Sequence, residues 1–176
     1  MNAQSAPIPA ATRTVQVGTR LIHLAELGAG PALLMLHGGG PGASGLSNYA
    51  RNVQALARHF RVIVPDLPGY GKSSKGVNAD DPFGDLADAM LGLLDALDIA
   101  RAHVVGNSLG GACALQMALR QPARVARLVL MGPGGVGIAQ GAPTAGLKRL
   151  LGYYAGEGPT PDTLRGLLSE DVVGEG

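Results

Sequence analysis

The stretch that most constrains the fold lies at residues 104–111, which read Val-Val-Gly-Asn-Ser-Leu-Gly-Gly. An apolar β-branched run precedes Ser108 and a helix-forming run follows it, so the pattern predicts a strand that turns sharply into a helix. Such a turn lifts the serine hydroxyl clear of both elements, which a nucleophile requires. We expect Gly106 and Gly110 to be needed because side chains there would collide. The alternative is an ordinary Gly-Ser loop.

Apolar runs that are typical of buried strands alternate along the chain with helical patterns. The strands are predicted at residues 14–17, 21–27, 32–36, 60–64, 102–105 and 128–131. Helices are predicted from an N-cap at Ser47 to about Arg58, from Asp81-Pro82 through Leu97, and from Ser108 to about Gln121. The alternation predicts an α/β fold with a mostly parallel sheet and flanking helices.

The length of 176 residues predicts one core domain with short extensions. Residues 1–12 are rich in Ala and Pro and are expected to form a disordered tail rather than a signal peptide. Residues 13–140 carry the strand and helix patterns of the core. Residues 141–176 contain short helical stretches separated by Gly and Pro, and we expect them to begin a helical cap that is incomplete.

Composition excludes several classes of function. The net charge is +1, charged residues make up 15%, and no basic cluster is interleaved with aromatics, so neither nucleic acid nor an acidic membrane is an expected partner. No apolar stretch is long enough to span a membrane. The single cysteine, Cys113, excludes an internal disulfide and is expected to be a small buried residue. These features favour a cytoplasmic protein.

A second glycine-rich segment, His-Gly-Gly-Gly-Pro-Gly at residues 37–42, directly follows the predicted buried strand 32–36. Glycines leave backbone N–H groups unshielded, so this loop could stabilise negative charge. A purely structural turn is the alternative. We expect His37 to brace the loop and Asp66 to stabilise a turn.

Two nucleotide-binding patterns fail. Gly71-Lys72-Ser73 resembles the end of a phosphate-binding loop, but Asp66 stands where the leading glycine is needed. The G-x-G-x-x-G match at residues 132–137 follows a late strand and contains Pro133, so we expect a hinge into the cap instead. No pair of the four histidines has metal-ligand spacing, and no metal site is expected.

The sequence offers the serine no downstream base. No histidine follows Ser108, and the aspartates after it, Asp162 and Asp171, lie in the expected cap. A serine nucleophile normally depends on an adjacent base. The chain therefore presents a nucleophile whose proton acceptor is missing.

The motifs together resemble the meta-cleavage product hydrolases, which cleave carbon–carbon bonds in bacterial aromatic catabolism and belong to the α/β-hydrolase superfamily. The resemblance covers roughly residues 12–155, and its motifs are HGGGPGASG (37–45), SNYARN (47–52), DLPGYGKS (66–73), LDALDIARAHVVGNSLGGACAL (94–115) and LVLMGPGG (128–135). The combination of HGGGPG, SNY, GNSLGG and MGPGG is the specific part, since DLPGYGKS is widespread in the superfamily.

This resemblance implies a role for each site residue. Ser108 would be the nucleophile, and the N–H groups of Leu109 and Gly39 would form the oxyanion hole. The polar dienoate end of the substrate would be lined by Asn107, Asn48 and Gly40. The small-molecule substrates would be 2-hydroxy-6-oxo-hexa-2,4-dienoates, ketonised before Ser108 or an activated water cleaves the C–C bond. No metal or organic cofactor is implied. Assembly of the full-length form into a homo-oligomer is left as an alternative.

This sequence lacks several segments that members of the family contain. Members continue for roughly a hundred further residues, which supply the rest of the cap, its substrate-binding arginine, two strands, the acid and the histidine. We therefore expect an N-terminal fragment that is inactive or nearly so, with an exposed apolar sheet edge at residues 128–131. The alternatives are an ester or lipid hydrolase of the same superfamily, a non-catalytic module that needs a complementing chain, and a nucleotide-binding protein.

Overall fold

The structure, a computed structural model, describes residues 10–136. The chain divides into two compact units, residues 1–136 and 137–176, and only the first contains described residues. The expectations for a cap at residues 141–176 and for most of the tail therefore lie outside the described residues. The end of the expected tail, at positions 11 and 12, belongs to the first strand.

The described unit contains six strands and three α-helices. The strands are β1 (Ala11–Val17), β2 (Arg20–Leu27), β3 (Ala32–Leu36), β4 (Arg61–Pro65), β5 (Ala102–Asn107) and β6 (Val125–Met131). The helices are α1 (Gly45–Leu56), α2 (Pro82–Ala96) and α3 (Leu109–Arg120), and a short 3-10 turn, Pro122–Arg124, precedes β6. Every strand and helix predicted for this part of the sequence is present.

The strands form one mixed sheet in the order β1-β2-β4-β3-β5-β6. β1 and β2 form an antiparallel hairpin, and β2 also runs antiparallel to β4. The pairs β3–β4, β3–β5 and β5–β6 are parallel. The predicted α/β fold with a mostly parallel sheet and flanking helices is therefore confirmed.

Successive side chains of the central strands point to opposite faces of the sheet, and each face packs against its own helices. Leu34 and Leu36 of β3 pack with α2 and α3, whereas Leu33 and Met35 pack with α1. Cys113 of α3 is fully buried in the first cluster, and burial raises the pKa of its thiol, which fits its predicted role as a small core residue. Among the described residues, no helix combines the length and apolarity needed to cross a bilayer.

The predicted start of α1 is wrong, because the N-cap is Ser44 rather than Ser47. Ser44 is extended (φ −153°, ψ 166°), and its Oγ accepts a 3.2 Å hydrogen bond from the Ser47 N–H. The Ser44 N–H in turn donates to Ser47 Oγ at 2.9 Å, which completes a capping box with serine at its third helical position. Because that position usually holds Glu or Gln, the sequence pattern did not reveal the cap. β6 also starts earlier than predicted, at Val125.

Candidate active site

Ser108 lies at the turn between β5 and α3. Its φ of 49° falls in the left-handed region, which non-glycine residues seldom adopt. The turn is fixed on both sides, since the Ser108 N–H donates to Met131 O at 2.9 Å and the Gly134 N–H donates to Ser108 O at 3.0 Å. The serine is exposed and its side chain makes no capping hydrogen bond to α3. The backbone is therefore held while the hydroxyl stays accessible.

The glycines on either side of Ser108 allow strand and helix to approach closely. A Cβ atom at Gly106 would lie 2.7 Å from the Gly110 carbonyl carbon, and one at Gly110 would lie 2.6 Å from His37 O. Gly111 is similarly tight, because its Cβ would lie 2.8 Å from Pro133 Cβ. These separations are shorter than real Cβ contacts permit. The structure thus supplies the steric reason for the glycines that the sequence suggested.

The register of β3 and β5 brings the glycine loop to the serine. Leu36 pairs with Gly106, so the chain leaves both strands at the same edge of the sheet. A Cβ atom at Gly38 would lie 3.5 Å from Ser108 Cβ, and one at Gly39 would lie 3.4 Å from Leu109 Cδ2. The two glycine-rich segments, 70 positions apart in the sequence, are therefore in contact.

The backbone N–H groups of Gly39 and Leu109 donate to no acceptor within residues 10–136. Unpaired backbone donors are uncommon in folded proteins, and they are satisfied by solvent or by a ligand. Leu109 is also the first residue of α3, where the helix dipole favours negative charge. The arrangement is chemically suited to hold a developing oxyanion beside the serine hydroxyl.

Asn48 connects the glycine loop, α1 and the end of β5. Its Oδ1 accepts hydrogen bonds from the Gly38 N–H at 3.0 Å and from Asn107 Nδ2 at 3.1 Å. The neighbouring Tyr49 donates its hydroxyl to Leu36 O at 2.8 Å, and burial raises the pKa of this phenol to about 12. Asn48 is exposed and Asn107 is half-buried, so both amides border the accessible side of the loop.

His37 braces the glycine loop from beneath, as predicted. It is completely buried, its Nδ1 lies 2.8 Å from Gly38 O, and its Nε2 accepts a 2.9 Å hydrogen bond from the Leu67 N–H. These partners place the ring proton on Nδ1. Burial lowers the pKa of His37 despite the opposing effects of the Gly38 carbonyl and Asp66. With both nitrogens engaged, this imidazole cannot take a proton from Ser108.

Asp66 stabilises three segments at once. Its carboxylate accepts hydrogen bonds from the Gly45 N–H and the Lys72 N–H, both at 2.9 Å, and lies 3.1 Å from His23 Nδ1. Burial alone would raise the pKa of Asp66, but the backbone donors and His23 outweigh it and lower the pKa. This agrees with the turn-stabilising role predicted for Asp66. The contact with α1 through Gly45 could not be read from the sequence.

The remaining histidines lie elsewhere. His23 pairs with Asp66, and the exposed His59 follows the end of α1. The rings of His103 and Phe60 meet edge to face, with their centroids 5.7 Å apart. His103 stands near the start of β5, roughly 16 Å of extended chain before Ser108. Within the described residues, no three His, Cys, Asp or Glu side chains gather as a metal site would require.

A cavity of about 690 Å³ lies between the glycine loop and the loop after β4. Its lining residues are Gly40, Pro41, Gly42, Ala43, Gly69, Tyr70, Gly71, Lys75 and Val77. The Tyr70 ring meets His37 edge-on, with centroids 5.3 Å apart, and its hydroxyl would lie 3.1 Å from a Cβ atom at Gly39. Sequence reasoning missed Tyr70, although its motif directly follows β4, the neighbour of β3.

Comparison with known proteins gives a consistent match. The alpha/beta hydrolase fold model matches residues 31–159. A 2-hydroxy-6-oxo-6-phenylhexa-2,4-dienoate hydrolase from Burkholderia cepacia is 48% identical over 152 residues, which are 84% of this chain and 52% of the relative. A 2-hydroxy-6-oxononadienedioate/2-hydroxy-6-oxononatrienedioate hydrolase from Comamonas testosteroni is 46% identical over 151 residues, with the same coverage.

The solved structures agree with the sequence comparison. The 2-hydroxy-6-oxo-6-phenylhexa-2,4-dienoate hydrolase from Rhodococcus sp. strain RHA1 superposes with a TM-score of 0.79 at 35% identity, covering 91% of this chain and 58% of that protein. The chain thus spans about half the length of the curated relatives it matches.

Proposed function

The chain belongs to the alpha/beta hydrolase family, and on that basis we propose that it carries the nucleophile half of a carbon–carbon bond hydrolase. The substrates are 2-hydroxy-6-oxo-hexa-2,4-dienoates, the ring-fission products of aromatic compound degradation. The observation that carries the proposal is the exposed Ser108 beside the N–H groups of Gly39 and Leu109, which have no acceptor in the described part of the chain. Similarity to the two groups of dienoate hydrolases supports the substrate class.

In this mechanism, the substrate dienol first takes up a proton at C5 and becomes a ketone. The C6 carbonyl oxygen sits between the Gly39 and Leu109 amides, which stabilise the negative charge that forms when Ser108 Oγ, or a water it positions, attacks C6. The C5–C6 bond then breaks, and its electron pair passes into the dienolate. Where Ser108 is the nucleophile, water hydrolyses the resulting acyl-serine ester; where water attacks directly, no ester forms. On both routes C6 leaves as a carboxylate, and the proton lost by the nucleophile passes to a base and then to the dienolate.

The proposal assigns polar recognition of the dienoate end to Asn48, Asn107 and Gly40. The hydrogen bond between the two asparagines supports this role, because it fixes the direction of both amides beside the loop. Gly40 has a φ of +124° and borders the cavity described above. A cytoplasmic location is part of the proposal and is supported by the lone, buried Cys113.

None of the four histidines, all of which lie in the described part of the chain, is placed to accept the proton of Ser108. His37 is engaged at both nitrogens, and no histidine follows Ser108. We therefore propose that the chain alone is inactive or nearly so, and that turnover requires a complementing segment with the base. Removing a triad member typically lowers kcat by several orders of magnitude.

Complementation tests this directly. The chain would be co-expressed with the part of the Burkholderia cepacia relative that it does not match, and loss of the dienoate chromophore would be followed. Turnover is expected only from the pair, and Ser108→Ala should abolish it. Full-rate turnover by the chain alone would contradict the missing base, and an active Ser108→Ala pair would contradict the nucleophile.

An aryl ester assayed in parallel separates the carbon–carbon hydrolase from an ester hydrolase of the same superfamily. The complemented pair is expected to prefer the dienoate in kcat/KM. A preference for the ester would favour the alternative function.

A further inference from the structure

We propose that the 690 Å³ cavity beside the glycine loop, called here the loop cavity, binds a carboxylate at the acyl end of the substrate. The identity of that carboxylate rests on the proposed function. The binding site itself rests on the residues that line the cavity.

Several residues that line the loop cavity offer hydrogen-bond donors, and none of its lining residues within 10–136 carries a carboxylate. Lys75 is the charged residue among the described lining residues. Its Nζ donates one hydrogen to Gly71 O at 2.8 Å, and its other two hydrogens have no acceptor within residues 10–136. The half-buried Tyr70 hydroxyl has no hydrogen-bond partner within residues 10–136. Backbone N–H groups without an acceptor in the same range belong to Gly40, Gly42 and Gly71.

The buried Asp66 does not offset the hydrogen-bond donors of the loop cavity. Asp66 lies behind Gly71, where a Cβ atom would collide with its carboxylate. The carboxylate oxygens of Asp66 already accept from Gly45, Lys72 and His23, and Asp66 does not line the cavity. An ammonium, a phenol and several amides without a competing anion form a site suited to a carboxylate.

The position of the loop cavity identifies which end of the substrate would reach it. Tyr70 lines the cavity and its hydroxyl approaches Gly39, so the cavity opens beside the candidate oxyanion donors. Of the three residues assigned to the dienoate end, Asn48 and Asn107 do not line the cavity, and Gly40 stands at its border. The two arms of the substrate diverge from the C6 carbonyl, which leaves the cavity for the acyl arm. Its volume is within the range of small-molecule sites.

The chemistry of the cleaved products provides matched probes. Hydrolysis of the C5–C6 bond turns C6 into a carboxylate, so a nonadienedioate releases succinate and a phenylhexadienoate releases benzoate. Both products carry the new carboxylate, but only succinate carries a second one at the far end. The difference between their affinities therefore reports the tail carboxylate.

The test is a titration of the 176-residue chain with succinate, benzoate and sorbate, followed by amide chemical shifts and calorimetry. Succinate is expected to bind more tightly than benzoate and to shift the amides of Gly42 and Gly71. Lys75→Met should weaken succinate binding about fivefold, as for an exposed charge pair. Lys72→Met is the matched control, because Lys72 is exposed and does not line the cavity.

Equal affinities for succinate and benzoate, or equal effects of Lys75→Met and Lys72→Met, would overturn the proposal. Sorbate mimics the dienoate end, so Lys75-dependent shifts of the same amides by sorbate would assign the cavity to that end and overturn the tail assignment. The Ser108→Ala chain should still bind succinate. If succinate still binds but complementation fails, the proposed hydrolase function is rejected and the binding site in the loop cavity is retained.

Discussion

The Asn107 side-chain amide donates a 3.1 Å hydrogen bond to Asn48 Oδ1 across a separation of 59 residues. The same oxygen accepts the Gly38 N–H at 3.0 Å, so one side chain of α1 holds the glycine loop and the end of β5 together. Asn107 directly precedes Ser108. The position of the serine relative to the candidate oxyanion donors therefore depends on a polar contact as well as on the sheet.

Replacing Asn48 by Ala should loosen the glycine loop. The Gly38 N–H and the Asn107 amide would each lose an acceptor, and we expect the free energy of unfolding to fall by about 1 kcal/mol. Denaturant unfolding would measure this loss, and hydrogen exchange should be faster at Gly38. Asn52→Ala, at another exposed position of α1, is the control and should change stability little. Equal effects of the two substitutions would argue against the contact.

Gly110→Ala and Gly134→Ala should differ sharply in stability. A Cβ atom at Gly110 would press on the backbone of Leu36 and His37, whereas one at Gly134 would meet nothing closer than 3.7 Å. We expect Gly110→Ala to cost about 3 kcal/mol or to prevent folding, because backbone cannot move aside. Gly134→Ala should be nearly neutral by thermal unfolding. Similar stabilities would contradict the close packing of α3 on β3.

Ser108→Gly should stabilise the chain relative to Ser108→Ala. A side chain at φ 49° is strained, and glycine relieves that strain, which we expect to be worth about 1 kcal/mol. The same pair of substitutions at Thr12, in strand β1, should show the opposite order, since glycine weakens extended backbone. Chemical denaturation of the four variants checks this. If Ser108→Gly were the less stable of its pair, the turn would be unstrained.

Acidification should destabilise the fold through His37. Because burial lowers its folded pKa below the unfolded value of 6.5, the unfolded state takes up the proton first. Stability should therefore fall as the pH drops below about 6.5 and level off below the folded pKa. Protonation of Nε2 would also break the hydrogen bond from the Leu67 N–H.

His37→Gln tests this pH dependence because it removes the titrating group. Free energies of unfolding measured from about pH 7.5 to about pH 4.5, a range that brackets the ordinary histidine pKa, should vary less for this variant than for the unaltered chain. His59→Gln, which removes an exposed histidine, is the control and should retain the full dependence. A His37→Gln chain with the unaltered pH profile would contradict the buried neutral imidazole.

The exposed edge of β6 should promote self-association. Within the described residues β6 pairs with β5 alone, and Val129 and Met131 are 52% and 41% exposed. Unpaired apolar edges recruit other strands. Val129→Lys should lower the concentration-dependent mass seen by sedimentation velocity, whereas Thr14→Lys on the opposite edge strand should not. Association that is insensitive to Val129→Lys would place the contact elsewhere.

The parts of the site that follow from local pattern were predictable from the sequence. The turn at Ser108 and the glycine loop each follow an apolar strand, and parallel strands deliver both to one edge of the sheet. The roles of Asn48 and Asn107 came only from the family resemblance, because no local rule brings residues 59 positions apart together. Tyr70 and the loop cavity were missed, since their importance arises from packing between loops.

The pairing of Leu36 with Gly106 in the middle of the sheet has a consequence for how the site can vary. Two adjacent backbone segments present the Ser108 hydroxyl and the candidate oxyanion donors, and the register of two central strands sets the distance between them. Substitutions in the outer loops can therefore change the walls around Ser108 while this spacing is kept.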